Sequence, residues 1–180
     1  MAKTRGARRR PALVPDDPWL LVQVTLRTGR GEAFDPPPER VIVASVHHTF
    51  AELAMAIDLA FGRRQLDCLR QFTCEDGTRV GDVVADLWGE TPREHRRTRL
   101  ERLGPGERFD YLFDFSDCWV HECLVVDRVD PMEVLGTRPG RPVIHHAVGA
   151  SPPQLRTSAP APWVSPPFES RGRWPVPRSS

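Results

Sequence analysis

The sequence predicts an α+β fold: a single domain with a mixed β-sheet and one main helix packed on it, β-grasp-like in the order ββαβββ, between disordered tails. Three observations carry this. Two segments rich in β-branched residues, 19 to 27 and 39 to 46, precede one strongly amphipathic helix. Alternating aromatics from 109 to 115 then mark a further strand pair. The chain ends are rich in arginine or proline, with five basic residues in the first ten and six prolines in 155 to 180.

The first strand is "WLLVQVTLR", whose Leu21, Val22, Val24 and Thr25 suit a pleated, half-buried surface between Pro18 and the glycines at 29 and 31. Its partner is "ERVIVASV". The connecting "TGRGEAFDPPP" holds three consecutive prolines, which cannot donate to a ladder, so the two strands make a long-looped hairpin.

"TFAELAMAIDLAFG" is the helix, because Phe50, Leu53, Ile57, Ala60 and Phe61 recur at spacings of three and four on one face. Thr49 and Glu52 have the spacing of a capping box, and Gly62 suits the left-handed position past the C-terminus. Beyond it, residues 68 to 74 read as a strand turning at Asp76 and Gly77. "VVADLW" reads as a half-buried turn or short helix. "GETPREHRRTRLERLGPGE" reads as a charged surface excursion with one helical turn at 94 to 103, in which His95 is a solvated neighbour of arginines.

Phe109, Tyr111, Phe113 and Phe115 alternate with polar or smaller residues, the period-2 sign of a strand with one aromatic face. "WVHECLVVDRV" follows as its partner. With Ser116, Asp117 and Cys118 as the turn, Phe115 faces Trp119, Phe113 faces His121 and Tyr111 faces Cys123. A slip of one residue would place His121 opposite Leu112 instead.

The domain is expected to run from 17 to 155, with a basic tail at 1 to 16 and a Pro/Arg-rich tail at 156 to 180, both disordered. With the chain at +1, the first ten residues at +5 and residues 155 to 180 at +3, residues 11 to 154 come to about −7. An acidic body lacks the basic face that phosphate binding needs, so nucleic acid could be engaged only through the tails, through Arg5, Arg8, Arg9 and Arg10.

Cys68, Cys74, Cys118 and Cys123 contain no Cys-x-x-Cys pair, which argues against structural zinc. With no secretory leader, they are expected to be reduced in a cytoplasmic protein. No apolar run reaches the ~20 residues of a membrane span. Phosphate-cradling glycine motifs and repeated βαβ units are absent, which excludes P-loop and dinucleotide folds. Neither a metal nor a cofactor is expected.

The chemistry-bearing stretch is "FDFSDCWVHE", with Asp114, Asp117, Trp119, His121 and Glu122. On one reading the aromatics are core, Asp114 and Asp117 cap the turn, and His121 and Glu122 point to opposite faces. On a second, Trp119 and His121 line a groove that receives a peptide, nucleotide or protein partner, so that the expected partner is a protein, a peptide or a small molecule. On a third, His121 acts with Asp114 or Asp117 in acid–base or metal chemistry, which successive His and Glu on a strand serve poorly.

The helix segment, the following "LRQF", "FDYLFDFSDCWVHE" and the later "RPVIHHAVGASPP" together resemble the plasmid pRiA4b ORF-3-like family, small bacterial proteins of unknown function. Family members typically carry Gly-Trp after the helix and His-Leu-His before the Phe. Here these are Gly62-Arg63 and Cys68-Leu69-Arg70. The family's Cys and acidic residues near the end are replaced as well, by Ile144 and by Ser151, Gln154 and Leu155, with His145 and His146 as partial substitutes. The resemblance implies a mobile-element origin and no assigned activity.

The reading is a non-catalytic binding or interaction module with Asp114, Asp117, Trp119, His121 and Glu122 as its binding residues. A metal-dependent hydrolase centred on His121 and nearby carboxylates is the first alternative. A nucleic-acid accessory protein acting through the basic N-terminus is the second.

Overall fold

The computed structural model describes residues 18 to 83 and 91 to 154. The predicted tails and most of "VVADLW" lie outside these residues. Nine strands form one sheet: β1 (Trp19–Gly29), β2 (Glu32–Ala33), β3 (Glu39–Ser45), β4 (Arg70–Cys74), β5 (Arg79–Gly81), β6 (Arg93–Glu94), β7 (Arg108–Phe113), β8 (Trp119–Val129) and β9 (Val143–Val148). Among the described residues the α-helices are α1 (Phe50–Ala60) and the short α2 (Pro131–Leu135), with one 3-10 turn at Leu100–Arg102 inside the expected 94 to 103 segment. Across the sheet the order is β6-β5-β4-β7-β8-β1-β3-β9, with β2 on β1. Among the described residues only β5 and β6 pair in parallel. This is the expected α+β architecture, a mixed sheet bearing one main helix.

The long-looped hairpin is present, with β1 and β3 paired from Trp19↔Ser45 to Thr25↔Glu39. Alternation along β1 sends Leu20, Val22, Val24 and Leu26 into the core, where they meet Ile42 and Ala44 of β3 and Cys123 and Val125 of β8. Helix α1 lies over this face. Phe50 packs edge-on against Phe72 and Phe109 at centroid distances of 5.0 and 6.4 Å, and Phe61 lies 4.9 Å from the His121 ring. One contiguous apolar cluster therefore joins the helix to strands from both halves of the sheet.

The ends of α1 are as its residues dictate. The Thr49 hydroxyl accepts from the Glu52 amide at 3.2 Å, while the Glu52 carboxylate accepts from the Thr49 amide at 2.7 Å. Gly62 takes φ +71° past the last turn. Thr49→Ala should lower stability by about 1 kcal/mol, read as a lower urea midpoint at unchanged slope; an unchanged midpoint would show that tertiary packing alone holds this helix end.

Two expectations need correction. The hairpin register is shifted by two residues, with Phe113 opposite Trp119, Tyr111 opposite His121 and Phe109 opposite Cys123. The turn spans 114 to 118 rather than 116 to 118, because Asp114 and Cys118 both adopt left-handed backbone conformations, at φ 58° and 49°. Phe115 thus sits in the loop. A two-residue shift preserves the period of the strand, so each side chain keeps its predicted face. His95 is not a solvated residue among arginines: it is buried, its carbonyl accepts from the Ala51 amide at the start of α1, and its Nε2 lies 3.7 Å from Asp82.

Candidate functional site

The C-terminal end of α1 brings a charged residue into the core. Asp58 lies four residues after Ala54 and three before Phe61, on the stripe that faces the sheet. One carboxylate oxygen accepts from Tyr111 Oη at 2.7 Å, and the other accepts from Arg70 Nε at 2.8 Å. Arg70 Nη2 also donates to the Leu66 carbonyl at 2.6 Å, tying the loop after the helix to β4. Burial raises the Asp58 carboxyl above its ordinary range against the opposing pull of Arg70. Burial and the Asp58 charge raise the Tyr111 hydroxyl well above 10, so it stays protonated and donates.

Beside this network stands Trp119, the first residue of β8 and 1% exposed. The Arg63 guanidinium carbon lies 3.6 Å from its ring centroid, that of Arg30 lies at 5.2 Å, and Phe34 stacks at 6.3 Å with 6° between ring planes. Gly29 makes room for the indole: a Cβ there would fall 2.1 Å from Cε3. Arg63 is 2% exposed and donates from Nη1 to the Pro152 carbonyl at 3.2 Å. Burial lowers its guanidinium to about 10, still protonated at neutral pH.

Residues 151 to 154 form a strap over this end. Gln154 Oε1 accepts from the amides of Arg64 and Gln65 at 2.6 and 2.9 Å, and its Nε2 donates to the Gln65 carbonyl at 3.0 Å. Arg40 anchors the start of the strap, donating to Ser151 Oγ at 2.6 Å and to the carbonyls of Ala60 and Val148.

His121 is fully buried, with Nδ1 3.2 Å from the Tyr111 carbonyl. Nδ1 is therefore the protonated nitrogen, and Nε2 is left as an acceptor. Burial, reinforced by the Arg63 charge, pushes the imidazole pKa down to about 3, so it is neutral at physiological pH. Asp114 accepts at Oδ1 from the Ser116 and Asp117 amides, capping its turn, and its other oxygen receives the Cys68 thiol at 3.5 Å. Asp117 pairs with Arg30 at 2.8 Å. Glu122 lies on the opposite face of the sheet, bridging Arg27 and Arg108 at 2.9 and 2.8 Å.

Of the five residues that the sequence singles out, the structure thus gathers Asp114, Asp117, Trp119 and His121 at one end of the sheet, and Glu122 stands apart. Trp119 and His121 are enclosed rather than lining an open groove. Burial, with the Asp114 charge second, holds the Cys68 thiol up at about 11; burial likewise raises Cys74, Cys118 and Cys123. Among the described residues, no three His, Cys, Asp or Glu side chains converge as metal ligands, and His145 and His146 are exposed on β9 at the far side of β3.

The sequence profile of the plasmid pRiA4b ORF-3-like proteins matches residues 22 to 154. The chain belongs to the plasmid pRiA4b ORF-3-like family. The fold is similar to that in the crystal structure of a protein of unknown function from Methanosarcina mazei Go1, with a TM-score of 0.63 and 17% identity over 77% of this chain and 74% of that one. At that identity the likeness shows the shared fold. Among curated proteins no sequence matches the chain significantly.

Arg63 stacks on Trp119, Arg70 binds Asp58, and Cys68 meets Asp114. Sequence reasoning missed Arg63, Arg30 and Asp58. Asp58 carried a signal, a carboxylate on the apolar stripe of a helix, which needs a buried partner. Arg63 carried one too, since it stands where the resemblance places the tryptophan of the family's Gly-Trp. No membrane-spanning helix, long and apolar enough to cross a bilayer, occurs among the described residues.

Proposed function

We propose that this family member is a non-catalytic binding module whose recognition end is the Trp119 end of the β7–β8 hairpin, with Asp114, Asp117, Trp119, His121 and Arg63 around it. One observation carries the reading. Six buried side-chain nitrogen atoms among the described residues have no hydrogen-bond partner, and four of them, Arg63 Nε and Nη2, Trp119 Nε1 and His121 Nε2, lie on three residues of this end. Folded proteins meet nearly all their buried polar groups, so this concentration of unmet ones supports a site where a second molecule supplies partners.

Catalysis is the weaker reading because the reactive groups are held in unreactive forms. His121 is neutral with Nδ1 engaged, the thiols are raised away from thiolate, and Asp58, Asp114 and Asp117 are committed to Arg70, to turn amides and to Arg30. The nucleic-acid reading rests on Arg5, Arg8, Arg9 and Arg10, which lie outside the described residues.

Native mass spectrometry of gently purified protein tests the proposal. A small molecule retained at close to one per chain and lost on unfolding is the expected result. A bare chain mass, together with phosphoester or peptide hydrolysis that disappears in His121→Asn, would overturn it in favour of a hydrolase.

A further inference from the structure

A guanidinium has two usable edges, and in Arg63 they are used unequally. Nη1 donates to the Pro152 carbonyl, while Nε and Nη2, which lie on the same side of the group, are buried and meet no acceptor among the described residues. That edge is the one that presents two parallel N–H bonds, matched in spacing to two oxygens of a carboxylate or phosphate. The guanidinium cannot turn freely to find other partners, because its face is held 3.6 Å from the Trp119 ring centroid.

The charges around it leave the same gap. Asp58 is taken up by Arg70 and Tyr111, Asp117 by Arg30, and Asp114 by its own turn amides and Cys68. Asp58 and Asp117 favour the Arg63 charge only from a distance: no carboxylate among the described residues lies within ion-pair distance of it, and Arg30, on the same indole, adds like charge. A buried cation without a contacting counter-ion is costly, and a bound anion offsets that cost where a water molecule supplies no charge. Trp119 Nε1, a donor, and His121 Nε2, an acceptor, are the other two buried atoms of this end without a partner among the described residues.

We propose that the Nε/Nη2 edge of Arg63 seats a small oxyanion, a carboxylate or phosphate group, against Trp119 and beneath the strap of residues 151 to 154. This rests on reading that end of the sheet as a binding site and names the ligand chemistry. Gln154 Oε1, Ser151 Oγ and the Pro152 carbonyl accept the hydrogen bonds that hold this strap against Arg40, Arg63, Arg64 and Gln65.

The test is thermal unfolding of the full chain in sodium formate and, separately, sodium phosphate, each against sodium chloride at equal ionic strength. A saturable rise in Tm of about 3 to 6 °C at roughly ten times the dissociation constant is expected with at least one of them. The stronger of the two identifies the group as carboxylate or phosphate. Arg63→Lys, which keeps the charge and loses the two-pronged edge, should weaken the response by about tenfold. Should that variant fail to fold, the Arg63 Nε–H resonance of the unaltered protein, slowed in exchange by burial, should shift saturably with the same anion. A Tm no different from chloride with both salts, or an Nε–H signal that neither moves, overturns the oxyanion. A neutral molecule retained in the native mass spectrum alongside that result would leave the binding reading standing, whereas His121-dependent hydrolysis would remove both.

Discussion

Trp119→Ala is expected to destabilise the protein by about 3 to 5 kcal/mol, the range for truncating a large buried aromatic whose site cannot collapse. Collapse is hindered here by what surrounds the ring. Gly29 sits against it on β1, Phe34 stacks beyond, and the Arg63 and Arg30 guanidinium groups lie near its ring. Losing the indole also strips Arg63 of its stacking surface while leaving its charge buried, an interaction worth up to about 2 kcal/mol when desolvated. Urea denaturation of the variant, with Trp119→Phe alongside, measures this. The phenyl ring should recover part of the loss. A Trp119→Ala variant within about 0.5 kcal/mol of the parent would mean that the indole is not embedded as the structure has it.

Acidification should unfold the protein through His121. In the unfolded chain the imidazole takes up its proton near its ordinary pKa of 6.5, whereas in the fold burial and the Arg63 charge hold that uptake back to about 3. The unfolded state therefore binds more protons throughout that window. The contribution is fully present above pH 6.5 and is lost as pH falls toward 3, at about 1.4 kcal/mol per pH unit and on the order of 4 to 5 kcal/mol in all. Asp58 works in the opposite sense over its own range, because its carboxyl is raised in the fold and its protonation favours the native state. The clean measurement is thus a difference: unfolding free energies between pH 7 and 4 for the parent and for His121→Phe. The variant should show a shallower pH slope at an otherwise lower stability. Equal slopes would mean that the imidazole reaches solvent in the native state.

Much of the fold was legible because it depends on local pattern. Helix α1 announces itself through Phe50, Leu53, Ile57 and Phe61 and through the Thr49–Glu52 capping box, and each of these does in space what its spacing requires. Strands β1 and β3 are legible for the same reason, and so are the faces of β7 and β8. The register between β7 and β8 was not. It depends on Asp114 and Cys118 adopting left-handed backbone, which no strong residue preference demands of a cysteine. Helix α2 was also passed over, although Asp130 caps it, Pro131 opens it and Gly136 closes it in the left-handed conformation. Strand β9 gave no such cue: "VIHHAV" carries exposed residues on both faces and is ordered by pairing with β3.

The site divides along the same line. The residue types of the β7–β8 turn, and the opposite facing of His121 and Glu122, follow from a side-chain period of two that any strand must obey. That Asp58 meets Arg70 and Tyr111, that Arg63 leaves its helix-end loop to lie on Trp119, and that His95 is buried against the start of α1 are decisions of tertiary structure. Each joins residues at least twelve positions apart. Burying the rings is favourable, while burying the charges is costly unless each meets its partner, and that balance exists only once the helix has been laid across the sheet.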